Sequence, residues 1–162
     1  MSSRVDAQSF LLRDYRPADF PRLWKIDQLC FPAGIAYDQA ELDSYIHQPN
    51  SFTIVAEFGR PAGEHARRIV GFTVAETARE LGHVVTVDVL LEARRCGLGS
   101  RLMAECEQRM RLVGCRQIYL ETAVNNLPAV AMYGKLGYQI VRRIPGYYHN
   151  YGLDAYRMRK RV

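Results

Sequence analysis

Arg94-Arg95-Cys96-Gly97-Leu98-Gly99 is the stretch of this 162-residue chain whose residue types and spacing most directly suggest chemistry. It follows a run over 84–89 that is β-branched except for Asp88. It precedes an apolar stripe of Leu98, Leu102, Cys106, Met110 and Val113, spaced by three or four. The first amides of a helix have no intrahelical partner, and the helix dipole is positive there. Glycine at 97 and 99 removes the Cβ atoms that would keep a phosphate off the backbone, and it permits dihedrals that aim successive N–H groups inward. Arg94, Arg95 and Arg101 add positive charge to the same spot. Residues 95–100, with Cys96, Leu98 and Ser100 among them, therefore read as a pyrophosphate site held mainly by main-chain amides. An ordinary strand-to-helix turn that needs two glycines for its bend accounts for the same residues. A Walker A loop is excluded because no Lys follows the glycines, and a dinucleotide fingerprint because Leu102 stands where its third Gly belongs.

Further along, Glu121 ends a strand whose neighbours Ile118 and Leu120 are apolar. A carboxylate there is either a general base or a sheet-end charge that reaches solvent. Tyr133 sits in a helix with Ala129 and Val130 one turn before it, so it is either a core aromatic or a phenol with work to do. His83 opens the strand over 83–89, as an auxiliary base or as a plain strand-edge histidine. The four cysteines form no Cys-x-x-Cys pair and read as reduced thiols; Cys96 lies in the turn but has no His close in sequence. The four histidines have no ligand spacing, so no metal site is expected.

The elements that must position these groups follow from periodicity and punctuation. Strands are predicted over 10–15, 52–57, 69–76, 83–89, 117–122, 138–144 and 154–160. Helices are predicted over 19–30, 38–47, 98–113 and 127–136. The first helix should bury Phe20, Leu23, Ile26, Leu29 and Cys30. Residues 59–68 read as a hairpin loop, Gly82 as a turn and 145–153 as a loop; Gly114 suits a helix C-cap and Asn126 an N-cap. This order predicts an α/β protein with a mixed sheet and helices on both faces. A single domain spanning 1–162, with its core over about 10–160, fits the length.

Apolar residues make up 48% and charged residues 24%, as in a soluble globular protein. No apolar run approaches the roughly 20 residues that span a bilayer. The first ten residues, MSSRVDAQSF, lack the apolar core of a secretory signal, so a cytoplasmic location is expected. A net charge of +5 suits a polyanionic ligand such as a nucleotide cofactor, and it is too modest to argue for nucleic acid.

The pattern Arg94-x-x-Gly97-x-Gly99 between a hydrophobic strand and a helix resembles the acetyl-CoA loop of the GCN5-related N-acetyltransferase (GNAT) superfamily. The stretch over 120–138, LETAVNNLPAVAMYGKLGY, resembles a second block of that family. The closing GYYHNYGLDAYRM over 146–158 resembles its protein N-terminal acetyltransferases, the branch that includes the bacterial ribosomal-protein alanine acetyltransferases. The resemblance covers roughly 10–160. It implies a single-domain, mostly antiparallel sheet whose two central parallel strands, 83–89 and 117–122, splay apart to admit the pantetheine arm of acetyl-CoA. Val87 and Val89 would bond that arm through the strand edge, and Asn126 would bond it while capping its helix. Glu121 would be the general base, acting through water, and Tyr133 would protonate the departing thiolate. Tyr37, Tyr147 and Tyr148 would form a collar around a peptide N-terminus.

The implied reaction is direct attack of an amine on acetyl-CoA in a ternary complex. A protein α-amine, with a pKa of about 7.7–8.0, is roughly a tenth neutral near pH 7, whereas a lysine amine at about 10.4 is almost wholly charged. A carboxylate of ordinary basicity suits the first. A small-molecule amine, a lysine side chain and a CoA-sensing module remain the alternatives. A ribosomal protein is one implied partner, and a monomer or weak dimer is the expected state. The chain departs from the pattern at Asn125 and at Thr122-Ala123, which bears on the acceptor more than on the donor.

Overall fold

The computed structural model describes residues 10–59 and 66–162. Seven strands form one sheet: β1 (Phe10–Asp14), β2 (Ser51–Phe58), β3 (Arg68–Ala78), β4 (Leu81–Val89), β5 (Gln117–Ala123), β6 (Gln139–Tyr148) and β7 (Leu153–Arg161), in the order β1-β2-β3-β4-β5-β7-β6. Four helices join them: α1 (Phe20–Cys30), α2 (Gln39–His47), α3 (Leu98–Leu112) and α4 (Leu127–Lys135). The predicted hairpin loop over 59–68 falls mainly on 60–65, which lie outside the described residues.

Every neighbouring pair is antiparallel except β4–β5. That pair is parallel and short: it runs from Leu81↔Gln117 to Val84↔Leu120 and stops, although both strands continue. The expected splay is this early end of pairing.

Helices α1 and α3 both pack on β3 and β4, one on each face. A bulge in β4 decides what each face sees. Val74 pairs with Thr86 and Ala75 with Val84, so Val85 has no partner in β3. Two residues on one side of the ladder then oppose one, and side-chain alternation reverses across the bulge. Gly82 therefore faces Met110 of α3, while Asp88, of the same parity, lies against Asp27 of α1. Gly82 belongs to β4 and is not the turn expected there. The turn is at Arg79-Glu80, with Arg79 at φ +56°, and a Cβ on Gly82 would run into the Met110 sulfur.

The core stripe of α3 holds at Leu98, Leu102, Cys106 and Met110, all fully buried, but Val113 is 64% exposed. The helix ends at Leu112, and Val113 leaves helical geometry at φ −93°, ψ 7°. Leu29 of α1 is also 64% exposed: Leu23, Ile26 and Asp27 take the inward face. Asp38 and Glu41 cap the start of α2 reciprocally, Asp38 Oδ1 accepting from Glu41 N at 2.8 Å and Glu41 Oε2 from Asp38 N at 2.9 Å.

Strand β6 runs to Tyr148, beyond the expected end at 144, and takes in Pro145 and both tyrosines. Proline lacks the N–H that a central strand must donate, but β6 is an edge strand paired only with β7, and its register shifts between Ile144 and Tyr148.

Candidate active site

The turn that enters α3 has its first helical amides uncapped by any side chain, because its N-cap is Gly97. Arg95 and Gly97 both lie in the left-handed region, at φ +60° and +80°. Alternation of this kind turns successive N–H groups to one side and makes an anion-binding concavity. The two glycines do different work. A Cβ on Gly97 would meet nothing within 4 Å, so Gly97 serves its dihedral; a Cβ on Gly99 would stand 2.9 Å from Met132 Sδ, so Gly99 serves the approach of α3 to α4. Arg94 is braced by its Nε donating to Val89 O at 2.8 Å, and Cys96 Sγ donates to Ala93 O at 2.7 Å. Arg101 reaches back to Phe10 O at 3.3 Å.

On the sheet face toward α1, strand register gathers four charged groups. His83 pairs with Glu76 across β3–β4 and with Tyr119 across β4–β5; Glu121 pairs with Arg157 across β5–β7. His83 Nδ1 lies 3.0 Å from Glu76 Oε1, and Nε2 lies 2.7 Å from Glu121 Oε2. Arg157 donates to Glu121 Oε1 from Nε at 3.1 Å and from Nη2 at 2.9 Å. The imidazole stacks on Tyr119, with centroids 4.5 Å apart. Burial works against the imidazolium, but the Glu121 and Glu76 carboxylates outweigh it and hold His83 above its ordinary pKa. Burial also works against the Glu121 anion, whose side chain is 6% exposed, yet His83 and Arg157 hold it below the usual carboxylate range.

Tyr37 Oη donates to Val85 O, the bulge carbonyl, at 3.4 Å, and its ring tilts against Tyr45 at 5.2 Å. Tyr147 and Tyr148 meet edge to face at 4.9 Å, and both phenols are close enough to feel the Glu121 charge. Burial, then Glu121, pushes Tyr148 up to about 12. Asn126 caps α4 as expected, its side chain accepting from Ala129 N at 3.3 Å. Tyr133 is buried edge-on against Tyr138, and its hydroxyl makes no hydrogen bond among the described residues; burial raises its pKa.

A cavity of about 960 Å³ joins the turn to this cluster. Its lining takes in Val87, Val89, Arg94, Arg95, Gly97, Leu98, Gly99, Ser100, Glu121, Asn126, Tyr133, Tyr37 and Tyr148. Of the site residues singled out in the sequence, Cys96, Arg101, His83 and Tyr147 do not line it. His83 stands behind Glu121, and Cys96 turns its thiol to the backbone. Glu76, Tyr119, Tyr45 and Arg157 were not foreseen. They lie on three strands and one helix, and only the register brings them together.

Chemically, the turn offers unpaired amides beside arginine, the open β4 edge offers peptide groups, and the far end offers a carboxylate–imidazole pair under aromatic rings. An elongated anionic ligand and a small basic one can meet between them.

The family model for the acetyltransferase (GNAT) family matches residues 20–138. An N-alpha-acetyltransferase of Sulfurisphaera tokodaii is 32% identical over 157 residues, covering 93% of this chain and 92% of the relative. Among solved structures, Ard1 from Thermoplasma volcanium superposes with a TM-score of 0.81 at 28% identity, covering 95% of this chain and 98% of that one. NAA60 from Arabidopsis thaliana, in complex with a bisubstrate analogue, also gives 0.81, at 21% identity over 94% and 99% of the two chains.

Proposed function

Since this chain belongs to the acetyltransferase (GNAT) family, we propose that it transfers acetyl from acetyl-CoA to the α-amine of a protein N-terminus. The observation that carries the reading is the His83–Glu121 pair at the far end of the cavity from the α3 turn, beneath Tyr147 and Tyr148. The relatives' names support the acceptor class.

The residues present fit acetyl-CoA. The uncapped amides of α3 with Arg94 and Arg95 suit its pyrophosphate, and the β4 edge beyond Val84, with Val87 and Val89, suits its pantetheine amides. Asn126 borders the same passage. Bound there, acetyl-CoA supplies the thioester carbonyl that the amine attacks.

The chain's own groups handle the protons. Glu121, held as a stable anion, attracts the α-ammonium. Deprotonation favours the His83–Glu121 pair acting together over the carboxylate alone. An α-ammonium near 7.7–8.0 lies about four units above an ordinary carboxylate, but within about 1.5 units of an imidazole at 6.5, and His83 lies higher still. Neutral His83 keeps its N–H toward one carboxylate, and its other nitrogen, which faces the second, takes up the proton that Glu121 relays from the ammonium. Tyr133, its hydroxyl uncommitted, donates to the departing thiolate. Tyr37, Tyr147 and Tyr148 bracket the first residues of the acceptor. Ribosomal proteins fall within this acceptor class.

Thiol release from acetyl-CoA with short peptides, each with a free or a blocked N-terminus, tests the proposal. Turnover confined to free N-termini is expected. Equal turnover on both would move the acceptor to lysine.

A further inference from the structure

Asp27 of α1 and Asp88 of β4 are each 0% exposed, and their carboxyls lie close enough to perturb one another. Their other bonds are few. Asp88 Oδ1 accepts from Thr86 Oγ1 at 2.5 Å; Asp27 Oδ2 accepts from Tyr37 N at 2.7 Å and, at 3.5 Å, from Gln28 Nε2. Asp27 Oδ1 and Asp88 Oδ2 have no donor among the described residues. Two buried anions in contact, with no salt bridge to a cation among the described residues, would repel one another strongly. A single proton between the two orphaned oxygens satisfies both and removes one charge.

The pair bears on the cavity through Tyr37. The Tyr37 backbone is fixed on both sides: its N–H by Asp27, and its carbonyl by Gln28 Nε2 at 2.6 Å and Trp24 Nε1 at 3.3 Å. Its phenol reaches the bulge carbonyl of Val85. Asp27 is thus the link between the loop that carries Tyr37 and the strand that carries Asp88.

We propose that Asp27 and Asp88 hold one proton between them and act as positioning residues, fixing Tyr37 and the acceptor wall it forms against β4. The assignment of Tyr37 to the acceptor rests on the function proposed above. Burial pushes both carboxyls above the ordinary range, and for Asp88 the Asp27 charge adds to it. From the surrounding elements, Glu41 of α2 adds negative charge at Asp27, and Arg94 in the turn after β4 opposes it at Asp88. Cys30 of α1 and Tyr133 of α4 feel the Asp88 charge. A neutral Asp88 therefore also leaves Tyr133 a better proton donor than it would be beside an anion. Because the pair needs its proton, the latch is closed at neutral pH and opens as pH rises and Asp88 ionises. Like charges then push α1 and β4 apart.

Trp24 is the chain's one tryptophan and bonds directly to Tyr37, so its fluorescence reports the latch without any acceptor. In the wild type the Trp24 emission is expected to shift as pH is raised from neutral, together with a rise in acceptor KM. Asp88→Asn, whose amide copies the protonated acid, should remove that shift, and tyrosine ionisation, common to both proteins, cancels in the comparison. Asp27→Asn should raise acceptor KM about ten-fold, the worth of one hydrogen bond to a charged group, with acetyl-CoA KM unchanged. Carbon-13 NMR of wild-type aspartate carboxyls should show one of the pair still protonated at neutral pH. Two ionised carboxyls there, or the same alkaline shift in Asp88→Asn, overturns the shared proton. An unchanged acceptor KM in Asp27→Asn, or equal changes for both substrates, overturns the positioning role. If Asp27→Asn does not fold, the other two measurements decide. Fluorescence and NMR use no acceptor, so they stand even if the acceptor is some other amine.

Discussion

Arg157 gives both Nε and Nη2 to a single oxygen of Glu121, Oε1, and so leaves Oε2 to His83. The carboxylate is fully engaged before any substrate arrives. Its anion is stable and oriented, and it is a weaker base than a free glutamate.

Replacing Glu121 by Gln keeps the shape and removes the charge that both partners need. Turnover at saturating acetyl-CoA should fall by about 10²–10⁴. His83 should also titrate lower, because its strongest upward influence is gone. Initial rates of thiol release and proton NMR of the imidazole read the two effects separately. Wild-type rates would remove Glu121 from the chemistry.

The His83 pair makes stability depend on pH in a defined direction. The folded pKa of His83 is raised, so its contribution is complete below the unfolded value of about 6.5 and is lost as pH rises through the folded value. Glu121 is the reverse: its contribution is present above about 4.3 and is lost as pH falls through its depressed folded value. Urea unfolding of wild type and His83→Gln should therefore differ most in mildly acid solution and least in alkaline solution. A difference that grows with pH contradicts the ion pair.

Tyr133→Phe keeps the ring against Tyr138 and deletes only the hydroxyl. If that hydroxyl is the proton donor, kcat should drop about a hundred-fold, with both KM values and the melting temperature nearly unchanged. Loss of stability instead would mark Tyr133 as a packing residue.

The two glycines of the turn should separate under mutation. Gly97→Ala forces a side chain into φ +80° and should cost about 1–2 kcal/mol while weakening acetyl-CoA binding. Gly99→Ala meets the flexible Met132 side chain, so the methionine can yield and the cost should be smaller. Calorimetric Kd values for acetyl-CoA with the two variants give the comparison.

Strand, turn and helix over 83–113 were legible because each signal is local. β-branching, two glycines and a three-to-four spacing all lie within one stretch of chain, and Asn126 announces its cap in the same way. What escaped the sequence is what register creates. Arg157 and Glu121 face each other only because β7 returns antiparallel to β5, and Glu76 reaches His83 only across β3–β4. The bulge at Val85 defeats parity reasoning, which would put Gly82 and Asp88 on one face. Leu29 misled because the inward position one turn after Leu23 is held by Asp27, a residue type that hydropathy assigns to solvent. Tyr147 and Tyr148 were expected in a loop because Pro145 reads as a strand breaker, which an edge strand overrides.

The four-pair junction of β4 and β5 also bears on how the molecule folds. Strands β3 and β4 meet through a tight turn and β6 and β7 through a short one, so these ladders can close early. The β4–β5 junction must wait for the whole of α3 to cross over. Gly82 against Met110 seats that crossover at the start of the junction. Enlarging Gly82 is therefore expected to delay recovery of activity in refolding well beyond recovery of the far-ultraviolet signal. Catalytic competence would then date from the joining of two half-sheets, and a chain can hold most of its secondary structure before it has an active site.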